Sequence, residues 1–375
     1  LRDDLKAGKN FGAASVPCQG GAGMSKQTAD CFWIVNSTLE KKTPVETPEN
    51  LNAFEPDAGR VCFLDQRMRL RLAASLRYIL GQADGCLDLP EDRVQKFLFQ
   101  LEQNPVSPLA FSFYYDAVLA IEEDDVEQAS RLLGELIHLP AHPGGPIIVE
   151  LADPRQDAVA RRYARFIDTD PSVKFEIFSP SRQAAANCRA QIQAAFALMQ
   201  AGDPDLAAET RALLREIIMA AGTEDPKALT FDGASSFMLW GGIILNANRR
   251  DGELQMVQML THESAHNLLF GLSADDSLVK NSPDELFASP LRKDPRPMDG
   301  IYHATFVTAR MHRAVNRLLE SGVLSASLKE MARKELEDNR RLFNQGIETV
   351  RQHGKLTPLG EAVIQGAGDY MADAD

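Results

Sequence analysis

Two histidines four residues apart, His262 and His266, stand in the segment Leu260-Thr261-His262-Glu263-Ser264-Ala265-His266-Asn267-Leu268-Leu269-Phe270. On a helix this spacing places both rings on one face about one turn apart, so both can reach a single metal ion. Two imidazole donors suit zinc or iron. The chain has seven histidines in 375 residues, and two of them fall in this apolar stretch. Glu263 is a charged side chain that needs a partner or a task in such surroundings. The plainer alternative is a chance pair of histidines, each satisfied by a hydrogen bond.

An HExxH segment points first to a zinc peptidase in which Glu263 activates water. The longer peptidase pattern places a Gly and then a His beyond the second histidine, where this chain has Leu269 and Leu272. A downstream acidic ligand has a candidate in Glu285, although Asn281-Ser282-Pro283-Asp284-Glu285 reads as the start of a loop. His303, in Gly300-Ile301-Tyr302-His303, opens the next apolar-periodic stretch and is the better third ligand. Two histidines completed by His303, by Glu285 or by Asp299 leave coordination positions open for water or a cosubstrate. His303 has its own plain alternative as a packed or hydrogen-bonded residue at a helix start.

Between these segments runs Ser289-Pro290-Leu291-Arg292-Lys293-Asp294-Pro295-Arg296-Pro297-Met298-Asp299-Gly300. Its prolines restrict the backbone, so Arg292 and Arg296 can be held in fixed poses. A guanidinium is the natural bidentate partner of a carboxylate, and an organic acid on the metal needs such an anchor. The alternative is a solvated basic loop. Arg310, Arg313 and Arg317 recur at helical spacing and read mainly as a solvated face. His312 falls roughly opposite His303 on the same helix, away from the metal.

The surrounding periodicity predicts which elements position these residues. Helices are expected over about 63–81, from Pro90-Glu91 to before Pro105, and from Asp124-Asp125-Val126 to His138. Short strands are expected at 147–149 and 173–178, then helices at 181–200 and 205–221. Residues 223–236 read as a loop, and 237–246 as a strand broken at Gly241-Gly242. The motif helix is expected at 253–271, followed by helices at 301–321 and 325–352 and a short one from Thr357-Pro358. This outlines a mainly α protein with small β elements. Its parts are a wrapping segment (1–60), a helical substrate- or leader-binding region (61–230) and a catalytic region (231–375). The lack of a strand–helix–strand series argues against a doubly wound fold, and no Gly-rich phosphate fingerprint is present.

Composition narrows the class. With 44% hydrophobic and 25% charged residues, the chain is neither disordered nor fibrous. The excess of 53 acidic over 40 basic residues gives a formal charge of -13, a poor match for a nucleic-acid backbone. Five cysteines without a CxxC pair are expected to be reduced and mostly buried, as in a cytoplasmic protein. The opening residues lack the apolar region of a signal peptide, and the run Phe237–Leu245 is too short to span a membrane. Neither nucleic acid nor membrane is therefore an expected partner.

The combination of HESAHNLLFGL with SPLRKDPRPMDGIYHATFV resembles the HExxH-type 2-oxoglutarate-dependent peptide β-hydroxylases, which often accompany ribosomally synthesised, modified peptides. The preceding LWGGIILNANR is similar to the lead-in of that motif, and the resemblance covers about 235–320, under a quarter of the chain. It implies a helical, non-cupin metalloenzyme with one Fe(II) on His262, His266 and, as third ligand, His303. It implies that Arg292 and Arg296 serve the 2-oxoglutarate. The implied reaction hydroxylates an unactivated C–H, at the β-carbon of a residue in a peptide or of a carrier-bound amino acid. It consumes O2 and 2-oxoglutarate. Glu263 would then orient a ligand or contact substrate or water, and Trp240 and Asn246 are candidates to line the pocket. Two rival readings stand beside it: a zinc metallopeptidase with Glu263 as general base, and a non-catalytic helical interaction domain.

Overall fold

The computed structural model describes residues 47–374 apart from residue 84 and the segments 167–175, 223–230, 250–251 and 290–294. The fold is mainly helical. The first helices are α1 (Ala58–Gln82), α2 (Glu91–Gln103), α3 (Leu109–Glu122) and α4 (Val126–Ile137). After β1 (Ile147–Glu150) come α5 (Ala158–Arg165), β2 (Ile177–Phe178), α6 (Arg182–Gly202) and α7 (Pro204–Leu213). The strands β3 (Glu216–Gly222), β4 (Gly233–Ser235) and β5 (Gly242–Asn246) lead into α8 (Glu253–Leu272). The hairpin β6 (Leu286–Phe287) and β7 (Arg296–Pro297) precedes α9 (Met298–Glu320), α10 (Ala326–His353) and α11 (Pro358–Asp373).

The helix starts follow capping chemistry. Asp57, Asp125, Ser181, Ser325 and Thr357 each accept a hydrogen bond from a backbone N–H of the first turn, satisfying a donor the helix cannot. Thr357 followed by Pro358 opens α11 as expected, and the helix runs on to Asp373 rather than ending quickly. Two helices lie outside the elements expected from the sequence. Buried on nearly every side, α3 has apolar residues all round and no helical period to read. The other, α5, is a short helix rich in arginine.

The expected helix over 205–221 is corrected. It stops at Leu213, and residues 216–222 form β3, the central strand. Between β1 and β5 and buried at every residue, β3 shows a continuous apolar run in place of alternation. The strand order is β1-β3-β5-β4, with β1, β3 and β5 parallel and β4 antiparallel to β5 at one edge. The expected lack of a strand–helix–strand series is therefore also corrected: β1 returns to β3 through α5, α6 and α7. The broken strand at 237–246 resolves into a 3-10 turn (Phe237–Leu239) and β5. Part of the expected strand at 173–178 lies outside the described residues; Ile177 and Phe178 pair with the end of β3.

The sheet divides the apolar interior. Ile217, Met219, Ile243 and Leu245 join one cluster with residues of α6, α7 and α10, whereas Ile218, Ala220 and Ile244 join another with α1 and α3. The second cluster draws on residues from Phe54 to Met371, and β3 is hydrogen-bonded to β5 across the sequence boundary near 230. Among the described cysteines, Cys188 is buried as expected and Cys62 and Cys86 are exposed, against the expectation for those two. Cys18, Cys31 and most of the expected wrapping segment lie outside the described residues. No described helix is long and apolar enough to cross a membrane.

Candidate metal centre

The motif helix α8 is buried along most of its length and anchored at both halves. Leu254, Val257 and Leu260 pack with Ile243 and Leu245 of the sheet. Asn267 accepts a hydrogen bond from the Gly241 N–H at 3.0 Å and donates to the Glu263 carbonyl at 3.1 Å. At Gly271 the helix meets Trp240 so closely that an added Cβ would lie 2.6 Å from the indole. These contacts fix the rotation of α8 and thereby the direction of its histidine face.

His262 and His266 face each other through Nε2 atoms 3.1 Å apart, with ring centroids 4.8 Å apart. Two ligands of one ion bonded at about 2.1 Å have nitrogens about 3.0–3.4 Å apart, so this pair fits a shared divalent metal. His303, on α9, stacks on His266 at 5.3 Å and touches it through the Nδ1 atoms, 3.0 Å apart. It thus meets the edge of His266 opposite the pair's Nε2 atoms. Among the described residues, no three His, Cys, Asp or Glu side chains form a group placed to hold one ion. His266 and His303 are buried, whereas His262 keeps part of its surface. Burial holds His262 down to about 4 and His303 down to about 3. Burial, then the neighbouring His262 and His303, holds His266 well below the ordinary range. All three rings are therefore neutral at pH 7, with lone pairs available for a metal. Phe270 lies 5.5 Å from His303 and 6.1 Å from Phe237, centroid to centroid, giving the site an apolar wall.

Glu263 occupies the adjoining face of α8, beneath β4. A Cβ at Gly233 would come within 2.6 Å of its Oε1 and 2.7 Å of Met259 Sδ. Burial pushes its carboxyl up to about 8, with the Ser235 hydroxyl offsetting part of the effect. Asp299 lies one turn before His303 on α9; burial raises it to about 7, and its buried Oδ2 has no hydrogen-bond partner among the described residues. Such an orphaned oxygen fits a site completed by a cation or a donor.

Of the expected residues, the structure brings His262, His266 and His303 together. Glu285 is turned elsewhere, bonded to Lys355 at 3.0 Å and Asn281 at 2.9 Å, so it is not a ligand in this arrangement. Arg296 is in β7, directly ahead of α9, and Arg292 lies outside the described residues. The arginine stripe of α9 is corrected: Arg310 and Arg313 are buried in ion pairs, and only Arg317 is solvent-facing. They hold the acidic groups of neighbouring elements, a role that spacing alone does not reveal. His312 bonds the Tyr370 hydroxyl at 2.9 Å, away from the three histidines. Asn246 bonds the Phe231 carbonyl at 2.8 Å and Trp240 is core. The contact of Gly233 and Ser235 with Glu263 had no sequence signal, because residues 223–236 read only as loop. No protein-family model and no curated protein matches the chain.

Proposed function

We propose that this protein is an Fe(II)- and 2-oxoglutarate-dependent oxygenase that hydroxylates an amino-acid side chain, at the β-carbon, within a peptide. The observation that carries the reading is the facing pair of neutral imidazoles, His262 and His266, on a helix locked by Asn267 and Gly271. His303 and Asp299, one turn apart on α9, are the candidates for a third protein donor. Arg296, directly ahead of that helix, and Arg292 are the candidates to take the distal carboxylate of 2-oxoglutarate. Iron in this site would supply the oxidising chemistry: a C–H, O2 and 2-oxoglutarate become C–OH, succinate and CO2. The residues of the chain bind and orient. Phe237 and Phe270 would supply an apolar wall on one side of the site.

Anaerobic titration of metal-free protein with Fe(II) and 2-oxoglutarate tests this. A saturable visible charge-transfer band at one equivalent is expected, weakened by Arg292→Ala or Arg296→Ala and lost in His266→Ala. No band in protein shown to carry one equivalent of Fe(II), or a site that takes zinc and refuses Fe(II), would exclude the oxygenase.

One observation favours a second reading, a zinc peptidase. Glu263 is the immediate neighbour of His262 and is buried under an edge strand, where a general base for a metal-bound water would belong. Glu263→Gln separates the two. It abolishes peptide cleavage in a peptidase, whereas the charge-transfer band of an oxygenase survives it.

A further inference from the structure

We infer that the groove between β1, α6 and α7 binds a small amphipathic carboxylate, an alkanoate whose chain lies on the sheet and whose head pairs with Arg211. The groove shares no residue with the candidate metal centre, and the inference does not depend on that centre.

Side-chain size along α6 makes the groove. Ile192, Ala195, Phe196 and Met199 form the stripe that this helix buries. The neighbouring stripe carries Ala197 and Ala201, one turn apart and exposed. Ile148 of β1 and Ile217 of β3 stand side by side in register on the sheet face that α6 covers. Ile217 is fully buried there, whereas Ile148 is only half-buried. Two methyl groups are too short to fill the space beside Ile148. A cavity of about 580 Å³ results, lined by Pro146, Ile148, Phe196, Ala197, Ala201 and Ile217. Small-molecule sites have volumes of roughly 300–1,000 Å³ and a mainly apolar lining with a few polar groups.

The polar groups of the groove select its ligand. Among the described residues that line it, Arg211 of α7 is the one that carries charge, beside the neutral amides of Gln193 and Gln200. Its guanidinium is already held in place. Nη1 donates to Gln200 Oε1 at 3.0 Å, and the guanidinium carbon lies 4.8 Å from the centre of the Phe196 ring. An amide oxygen and a ring face fix the plane of the group without neutralising it. Arg189 on α6, by contrast, is paired with Glu150 at 3.3 Å.

The remaining N–H donors of a guanidinium fixed in this way suit a carboxylate, which they take in the bidentate mode. In a chain of formal charge -13, such a group is also a local attraction for an anion. A cation is repelled by Arg211. A sugar or nucleotide would set its hydroxyl groups against isoleucine and alanine without partners. One carboxylate on an unbranched apolar body meets both halves of the lining: the chain covers Ile148 and Ile217, and the head reaches Arg211.

Calorimetry of the metal-free full chain with octanoate tests the assignment, beside hexanoate, octan-1-ol and octylamine. Octanoate should bind saturably, with a gain over hexanoate of roughly two- to fourfold per methylene. It should bind at least about tenfold tighter than the alcohol, the worth of a charge-assisted hydrogen bond, and octylamine should not displace it. Arg211→Gln should remove the preference over the alcohol. Ala197→Leu, which fills the groove from an exposed position, should abolish binding of octanoate. Circular dichroism checks that each variant is folded, and where one is not, the other decides. No saturable binding up to about 10 mM octanoate overturns the inference, as does equal binding by parent and folded variants. Binding of the peptide Ac-Ala-Val-Leu, with its free carboxylate, in place of octanoate would assign the groove to a peptide terminus and overturn it too.

Discussion

Each histidine of the candidate centre lies in surroundings that oppose its protonated form, and each nearby acid in surroundings that oppose its ionised form. The two sets act on stability in opposite directions. In the metal-free protein the histidines are protonated near 6.5 when unfolded but only near 4 (His262) and 3 (His303), with His266 also far below its ordinary value, when folded. The unfolded chain binds more protons between those limits, so this contribution raises stability from about pH 4 to about 6.5 and is then constant. Glu263 and Asp299 are raised to about 8 and about 7 from 4.5 and 3.8. There the folded chain binds more protons, so stability is present at low pH and is lost as pH rises through those values. Above pH 6.5 only the acids remain. Urea unfolding of chelator-treated protein should therefore show a midpoint falling from pH 6.5 to 8, and Glu263→Gln should flatten that fall. An unchanged slope in the variant would show that Glu263 ionises freely in the folded state.

At the scale of elements, the direction of the histidine face depends on two close approaches to α8. Asn267 ties it to the backbone at Gly241, and Gly271 lets Trp240 pack against it. Gly271→Ala would set a methyl group 2.6 Å from a buried indole between α8 and Leu64 of α1. Overpacking of this kind typically costs about 1–3 kcal/mol. A matching drop in denaturant stability with shifted Trp240 fluorescence is expected, and no change would mean the helix can slide. The same elements show what the sequence made readable. The motif helix, its histidine spacing and the helix starts at Asp124-Asp125 and Thr357-Pro358 are local signals and were legible residue by residue. The strand β3 was not, because burial on both faces erases the alternation that marks a strand. Nor was α3, whose apolar surface runs all round. That His303 comes near the motif pair was anticipated, but its approach at Nδ1 of His266, away from the Nε2 pair, and the seat of Glu263 under β4 depend on long-range packing.

Across the whole molecule, the helix bearing His303 is held to the rest by buried charge. Glu209 on α7 bonds Arg60 of α1 at 2.6 Å through one oxygen and Arg310 of α9 through the other, and it also accepts from the Asp57 N–H at 2.8 Å. One turn beyond Arg310, Arg313 reaches Asp203, the cap of α7, at 2.5 Å. A single carboxylate thus joins three helices that are distant in sequence, and its partners are almost wholly buried. A well-packed apolar trio could stabilise the junction equally, so the network is not by itself a source of stability. Removing one member is different. Glu209→Gln keeps the shape but leaves two buried guanidinium groups without the carboxylate they are bonded to, for which about 3–5 kcal/mol is the usual cost. Guanidinium unfolding should show a loss of that order, and the loss should change little with added salt, because buried pairs are poorly screened. A loss below about 1 kcal/mol would place the pair in the solvent-exposed class. Under the proposed function the junction would also orient α9, so at a pH and temperature where Glu209→Gln remains folded, its affinity for Fe(II) is expected to fall although no proposed ligand has changed. An unaltered affinity would mean that packing against α8 alone positions His303.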